Sequence, residues 1–79
     1  MKLNNSNLKF VVASDVSNRD GVGIEVYLDN ELILEIFRDD SKRKREVTLY
    51  KKDLDLDVIE RSIEKFKNEI QWEFSSIKQ

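Results

Sequence analysis

Ile24-Glu25-Val26-Tyr27-Leu28-Asp29-Asn30-Glu31-Leu32-Ile33-Leu34-Glu35-Ile36 is the stretch that decides the fold. On either side of Asp29-Asn30 an apolar residue recurs at every second position: Ile24, Val26, Leu28, then Leu32, Leu34, Ile36. That is the period of a strand with one buried face, and two such runs around a short polar turn read as a hairpin. Pairing Leu28 with Leu32 aligns Val26 with Leu34 and Ile24 with Ile36. This register needs a three-residue loop, Asp29 to Glu31. The two-residue Asp29-Asn30 turn would place Glu35 opposite Ile24 on the buried face, where an unpaired carboxylate costs roughly several kcal/mol. Burial is expected to win over turn preference.

The same alternation extends outward. Leu8, Phe10 and Val12 precede the hairpin, and Val47 and Leu49 follow it. Setting Ile36 opposite Val47 and Leu34 opposite Leu49 brings Asp39 against Lys44 and Asp40 against Arg43 at a second hairpin tip. Exposed pairs of this kind contribute under about 1 kcal/mol each. Ser14 to Gly23, with Asn18, Asp20, Gly21 and Gly23, reads as a loop. Downstream, Leu56, Ile59, Ile63, Phe66 and Ile70 recur at spacings of three and four, which predicts one amphipathic helix over about 56–73. Asp55 or Asp57 suits its start, and Asp57 with Glu60 has the capping-box spacing. The predicted fold class is α+β: a four-stranded antiparallel meander sheet with one C-terminal helix packed on one face.

The chain of 79 residues has room for one domain, expected to span 1–79 with 1–6 frayed. It contains no proline, repeat or low-complexity segment that would mark a linker. The absence of cysteine and histidine removes thiol nucleophiles, Ser-His pairs and the usual ligands for zinc, haem and iron-sulfur groups, so no cofactor is expected. Apolar runs are far shorter than the roughly 20 residues of a spanning helix, and Met1 to Asn7 is polar rather than signal-like. A cytoplasmic, non-membrane protein is the expectation. The net charge of −2 is unevenly spread: from Arg38 to Lys52 seven cations face three anions.

One helix covers one face of a sheet. Alternation assigns Lys9, Val11, Glu25, Tyr27, Ile33, Glu35, Phe37, Glu46, Thr48 and Tyr50 to the other. Tyr27, Ile33, Phe37 and Tyr50 form an apolar, aromatic patch there, which suits a protein partner or, sheet to sheet, a second copy of the chain; the same residues also serve ordinary cross-strand packing. Glu25 and Glu35 fall directly opposite each other, a destabilising arrangement unless compensated, with Lys9 the nearest cation. As charge selectors they would favour a basic partner. As an acid-base pair they would need a pocket that an open sheet does not offer.

Lys42, Arg43, Lys44 and Arg45 are four consecutive cations that could meet nucleic-acid phosphates, or be a solvated tip that discourages aggregation. Glu25, Glu35 and Glu46 make the sheet face unsuited to stacking bases. The loop residues Asp15, Asn18, Asp20 and Gly21 lack the spacing of a calcium-binding loop, and no metal site is assigned. Trp72 lies outside the buried stripe of a straight helix. If the helix stops near Ile70, alternation of Ile70, Trp72 and Phe74 half-buries the indole instead.

Glu35, Ile36, Phe37, Arg38, Asp39 and Asp40, then Arg45, Glu46, Val47 and Thr48, resemble a segment met in small uncharacterised bacterial proteins. The size and layout are similar to those of immunity proteins of toxin systems. That resemblance implies a module that blocks a toxin by covering its active surface, and it transfers no site residue. The expected function is thus non-enzymatic protein binding through the open sheet face, with nucleic-acid binding at 42–45 as the alternative.

Overall fold

In the computed structural model, which describes residues 7–17 and 19–75, four strands follow one another across a single antiparallel sheet: β1 (Leu8–Asp15), β2 (Gly21–Leu28), β3 (Glu31–Asp39) and β4 (Lys44–Leu49). Helix α1 (Leu56–Glu69) packs against one face, chiefly on β1, β2 and β3. The α+β meander expected from the alternation is the observed fold. The expected fraying of 1–6 and the turn role of Asn18 lie outside the described residues.

The β2–β3 hairpin satisfies both turn chemistry and burial. Asp29 and Asn30 have φ of 52° and 68°, the paired left-handed conformation of a two-residue turn whose twist matches the strands. Leu28 therefore faces Glu31, and Tyr27 faces Leu32. The register then slips by one residue, so that Val26 faces Leu34, Glu25 faces Glu35 and Ile24 faces Ile36. Ile33 is the extra residue, a β-bulge that reconciles the short turn with the buried register. The expected three-residue loop and the expected pairing of Leu28 with Leu32 are corrected by this bulge, while the pairings of Val26 with Leu34 and Ile24 with Ile36 are as read from the sequence.

The bulge also moves side chains. Ile33 has 0% exposure and belongs to the helix-side core with Ile24, Val26, Leu34, Ile36, Val58, Phe66 and Ile70. Leu32 takes a place opposite Tyr27, on the other face. Between β3 and β4 the register matches the expectation: Leu34 with Leu49, Ile36 with Val47 and Asp39 with Lys44. The expected tip ion pairs do not form. Asp40 turns back to Arg38, at 2.8 and 3.0 Å, and Lys44 lies 3.4 Å from Glu46.

Gly21 and Gly23, read as loop residues, are part of β2. A Cβ at Gly23 would run into the Ile36 carbonyl oxygen, and one at Gly21 into that of Arg38. The close approach of β3 excludes larger residues there.

Helix α1 starts after Asp55, whose carbonyl accepts the Val58 and Ile59 N–H groups at 3.1 and 3.2 Å without a side-chain cap. Asp57 sits in the first turn and Lys67 in the last, each favourable to the helix dipole. The buried stripe is Val58, Ser62 and Phe66, continued by Ile70, whereas Leu56 and Ile63 are exposed. The helix is thus rotated from the predicted stripe. Ser62, at 0% exposure, lets the helix approach the sheet closely, and its hydroxyl is satisfied by donating to the Val58 carbonyl at 2.7 Å. Leu54 packs against the core just before the helix.

The helix ends at Glu69, four residues short of the expectation, because Ile70 turns extended and buried. Beyond it the chain crosses the helix-side face near the second hairpin. There Arg38 donates to the Gln71 carbonyl at 2.8 Å, and Ser75 N–H donates to Asp40 at 3.0 Å.

Candidate functional site

Part of the sheet face opposite the helix is closed by the chain itself. Phe37 lies opposite Gly23, and its ring sits 3.2 Å from where a Cβ of Gly21 would be. Glycine thus makes a floor on which the ring rests. Arg19, from the segment between β1 and β2, places its guanidinium 3.8 Å over that ring. Its two terminal nitrogens then donate to the two carboxylate oxygens of Glu35, both at 3.0 Å, and its Nε lies 3.3 Å from Asp15. The planar fork therefore meets an aromatic face and a carboxylate fork together, the geometry for which arginine is suited and lysine is not. The hydrogen bond to Glu35 holds the guanidinium pKa above its ordinary value, against the opposing pull of burial.

This clasp decides where the predicted binding residues stand. Phe37 is 2% exposed and Glu35 7%, both beneath Arg19, while Ile33 lies in the core on the other side of the sheet. None of these three is offered to a partner as the open face would require. Glu25 and Tyr27 are half-buried, and the Tyr27 hydroxyl donates to Glu25 at 2.9 Å. That hydrogen bond, with burial and the carboxylate charge, raises the Tyr27 pKa. Tyr50 remains 54% exposed. The opposed Glu25 and Glu35 are thus compensated separately, by a phenol and by an arginine rather than by Lys9. Arg19, absent from the sequence-based candidates, is the one cation of the segment from Ser14 to Gly23, and the demand for a positive charge near two opposed glutamates is a signal that could have found it.

Asp39, at 1% exposure, extends the row of β3 side chains on this face. Burial is the largest single influence on its carboxyl and pushes upward. It is outweighed by the Lys42 N–H, the Ser41 hydroxyl, the Lys42 charge and the Ser41 N–H, which together hold the pKa below its ordinary value. The Ser41 and Lys42 bonds both reach Oδ1, and Oδ2 has no partner among the described residues. Among those residues no three carboxylates converge on a metal-sized space.

The basic tip is also partly used internally. Arg45 lies 4.0 Å over the Trp72 ring and 4.2 Å over Phe74, and it donates to the Trp72 carbonyl at 2.7 and 2.9 Å. Arg43 lies 5.1 Å over Phe74. Lys42 and Lys44 are exposed. The four cations therefore do not form one outward row, since two are stacked on the tail.

The exposed apolar surface lies on the side of the sheet that the helix was expected to cover. Because α1 sits over β1 to β3, Val47 and Leu49 of β4 stay 56% and 58% exposed. Val47, with Ile63 of the helix and Trp72 of the tail, flanks a groove of about 210 Å³, floored by Ile36 and Phe66 and closed at one end by Arg45, and Leu49 follows Val47 along the strand. Trp72 stands edge-on to Phe66 at 6.4 Å, with its other surfaces toward Arg45 and solvent. Sequence alternation puts these residues on the correct face, but does not reveal that one 14-residue helix is too narrow to cover a fourth strand.

Beside the groove runs a strand edge that no other described strand pairs. Tyr50 N–H bonds to the Ile33 carbonyl at 2.9 Å, so by the alternation of an antiparallel ladder the even-numbered residues of β4 direct their amides at β3. Arg45, Val47 and Leu49 direct theirs outward, at the end of the sheet. At the opposite edge Leu8 and Phe10 of β1 are packed against the core, and the hollow beside Leu8 is lined by the polar Asn7, Lys9, Asp29 and Asn30.

Compared with family models, curated proteins and solved structures, the chain matches none.

Proposed function

We propose that this domain is a non-enzymatic protein-binding module, and that it binds through the β4 edge and the groove beside α1. The observation that carries this reading is the coincidence of Val47, Leu49, Ile63 and Trp72, all exposed, with a row of outward backbone amides on the same strand. Contiguous apolar surface and an open strand edge are each a site of association on a free domain, and a partner covers both. Tryptophan in a half-open pocket is the residue type that most often dominates an interface. The buried positions of Glu35 and Phe37 favour a binding surface here over one on the opposite sheet face. No helix among the described residues is long and apolar enough to cross a membrane.

A photoreactive amino acid at position 49, introduced into the protein in the cells that make it, is expected to give a discrete adduct that Val47→Asp abolishes. The same group at position 27, on the other face, is expected to give none. A discrete adduct from 27 and none from 49 would overturn the assignment of the surface.

A further inference from the structure

Resting on that reading of β4, we propose that the occupant of the edge is an extended strand of a different protein with an apolar middle and acidic ends. The edge itself sets the backbone form. Outward N–H and C=O groups on Arg45, Val47 and Leu49 recur every second residue, a spacing that another extended chain satisfies and a helix does not. The groove sets the middle. Side chains on the helix side of an added strand would lie over Val47 and Leu49 and reach the space between Ile63 and Trp72, where nothing polar awaits them apart from Arg45 at one end.

Charge sets the ends. From Lys44 to Lys52 the chain carries Lys44, Arg45, Lys51 and Lys52 against the single carboxylate Glu46, a local charge of +3 on a protein whose net charge is −2. Lys44 and Arg45 stand before the apolar pair, and Lys51 and Lys52 follow it in the bend after β4 ends at Leu49, where Lys51 lies 3.8 Å from the exposed Glu31. An added strand matching the six residues of β4 would place carboxylates beside Lys44 and Arg45 at its start and near Lys51 and Lys52 just beyond its end.

A second copy of this chain fits less well. Antiparallel pairing of β4 with itself brings two cationic segments together, with Lys44 and Arg45 of one copy near Lys51 and Lys52 of the other. Nucleic acid would meet the cations and leave Val47, Leu49 and Ile63 uncovered.

Trp72, the chain's single tryptophan, reports on the groove directly. The probe is a nine-residue peptide of alternating valine and threonine between two aspartates at each end. Its titration is expected to change Trp72 emission with saturation, and to weaken severalfold between about 50 and 300 mM salt as screening grows. A peptide with lysines in place of the aspartates is expected to bind at least tenfold more weakly, and so is an acidic peptide N-methylated at alternate amides. Leu49→Lys, at an exposed position, is expected to remove binding while leaving the fold intact.

Equal binding of the acidic and basic peptides overturns the proposal. So does absence of binding by the acidic peptide, concentration-dependent dimerisation that Leu49→Lys abolishes, or tighter capture of a single-stranded oligonucleotide at this edge. In each of those cases a persisting crosslink from position 49 leaves the binding surface standing and removes only this occupant. Loss of the crosslink as well removes both.

Discussion

Arg19→Ala is expected to lose most of the stability of the domain, with the thermal midpoint falling until the protein is largely unfolded near 37 °C. Removing one member of a buried ion pair costs about 3 to 5 kcal/mol, because the other charge is left without a partner. The Arg19 side chain is 33% exposed and Glu35 9%, so the upper part of that range is discounted and about 2 to 4 kcal/mol is expected. A staple-free core of this size rarely supplies more than about 3 to 5 kcal/mol in total. The loss therefore rivals the whole. Phe37 would lose its cover at the same time.

Arg19→Lys is expected to recover only part of the loss, since an ammonium cannot grip both Glu35 oxygens while lying flat on Phe37. Replacing Arg19 by Ala together with Glu35 by Leu is expected to lie within about 1 kcal/mol of the wild type, because neither member of the pair is then left as an unpaired buried charge. Urea unfolding followed by circular dichroism reads all three. A single Arg19→Ala loss under about 0.5 kcal/mol would show the clasp to be an ordinary surface pair.

Phe66→Ala is expected to leave no folded population at room temperature. Truncating a buried phenylalanine costs about 3 to 5 kcal/mol through lost transfer energy and the cavity left behind. Phe66 is 2% exposed, sits in the core with Ile24 and Leu34, and supports the edge of Trp72. Leu56→Ala is expected to change stability by less than about 0.5 kcal/mol, as Leu56 is 70% exposed. The pair discriminates sharply, because hydrophobic periodicity alone places both residues on one buried stripe. Comparable losses from the two would mean that the helix is turned toward the predicted stripe.

That contrast shows where the sequence is legible and where it is not. Strand alternation specifies faces strongly, since a slip by one residue would turn a whole strand inside out, and so the pairings Ile24 with Ile36 and Ile36 with Val47 could be read directly. The bulge at Ile33 could not. Turn preference and burial are separate local demands, and only a three-dimensional ladder shows that one extra residue meets both. Helical periodicity fixes a stripe only to within a neighbouring position, and the small Ser62 decided the rotation by allowing close approach. Arg19 escaped notice because it lies in a turn segment and acts across sixteen residues on Glu35. The exposure of β4 is not legible for a simpler reason: alternation tells which way Val47 and Leu49 point, not whether the helix is wide enough to cover them.

The central claim is that the amides of Arg45, Val47 and Leu49 face outward and await a strand. Residue-resolved hydrogen exchange by NMR tests it most directly. In the free protein these three amides are expected to exchange at nearly the rate of an unstructured peptide, while those of Glu46, Thr48 and Tyr50 are protected, and the acidic peptide is expected to slow the first set specifically. Protection of Arg45, Val47 and Leu49 in the free protein at every concentration, or protection that grows with protein concentration as self-paired strands would give, would contradict the account.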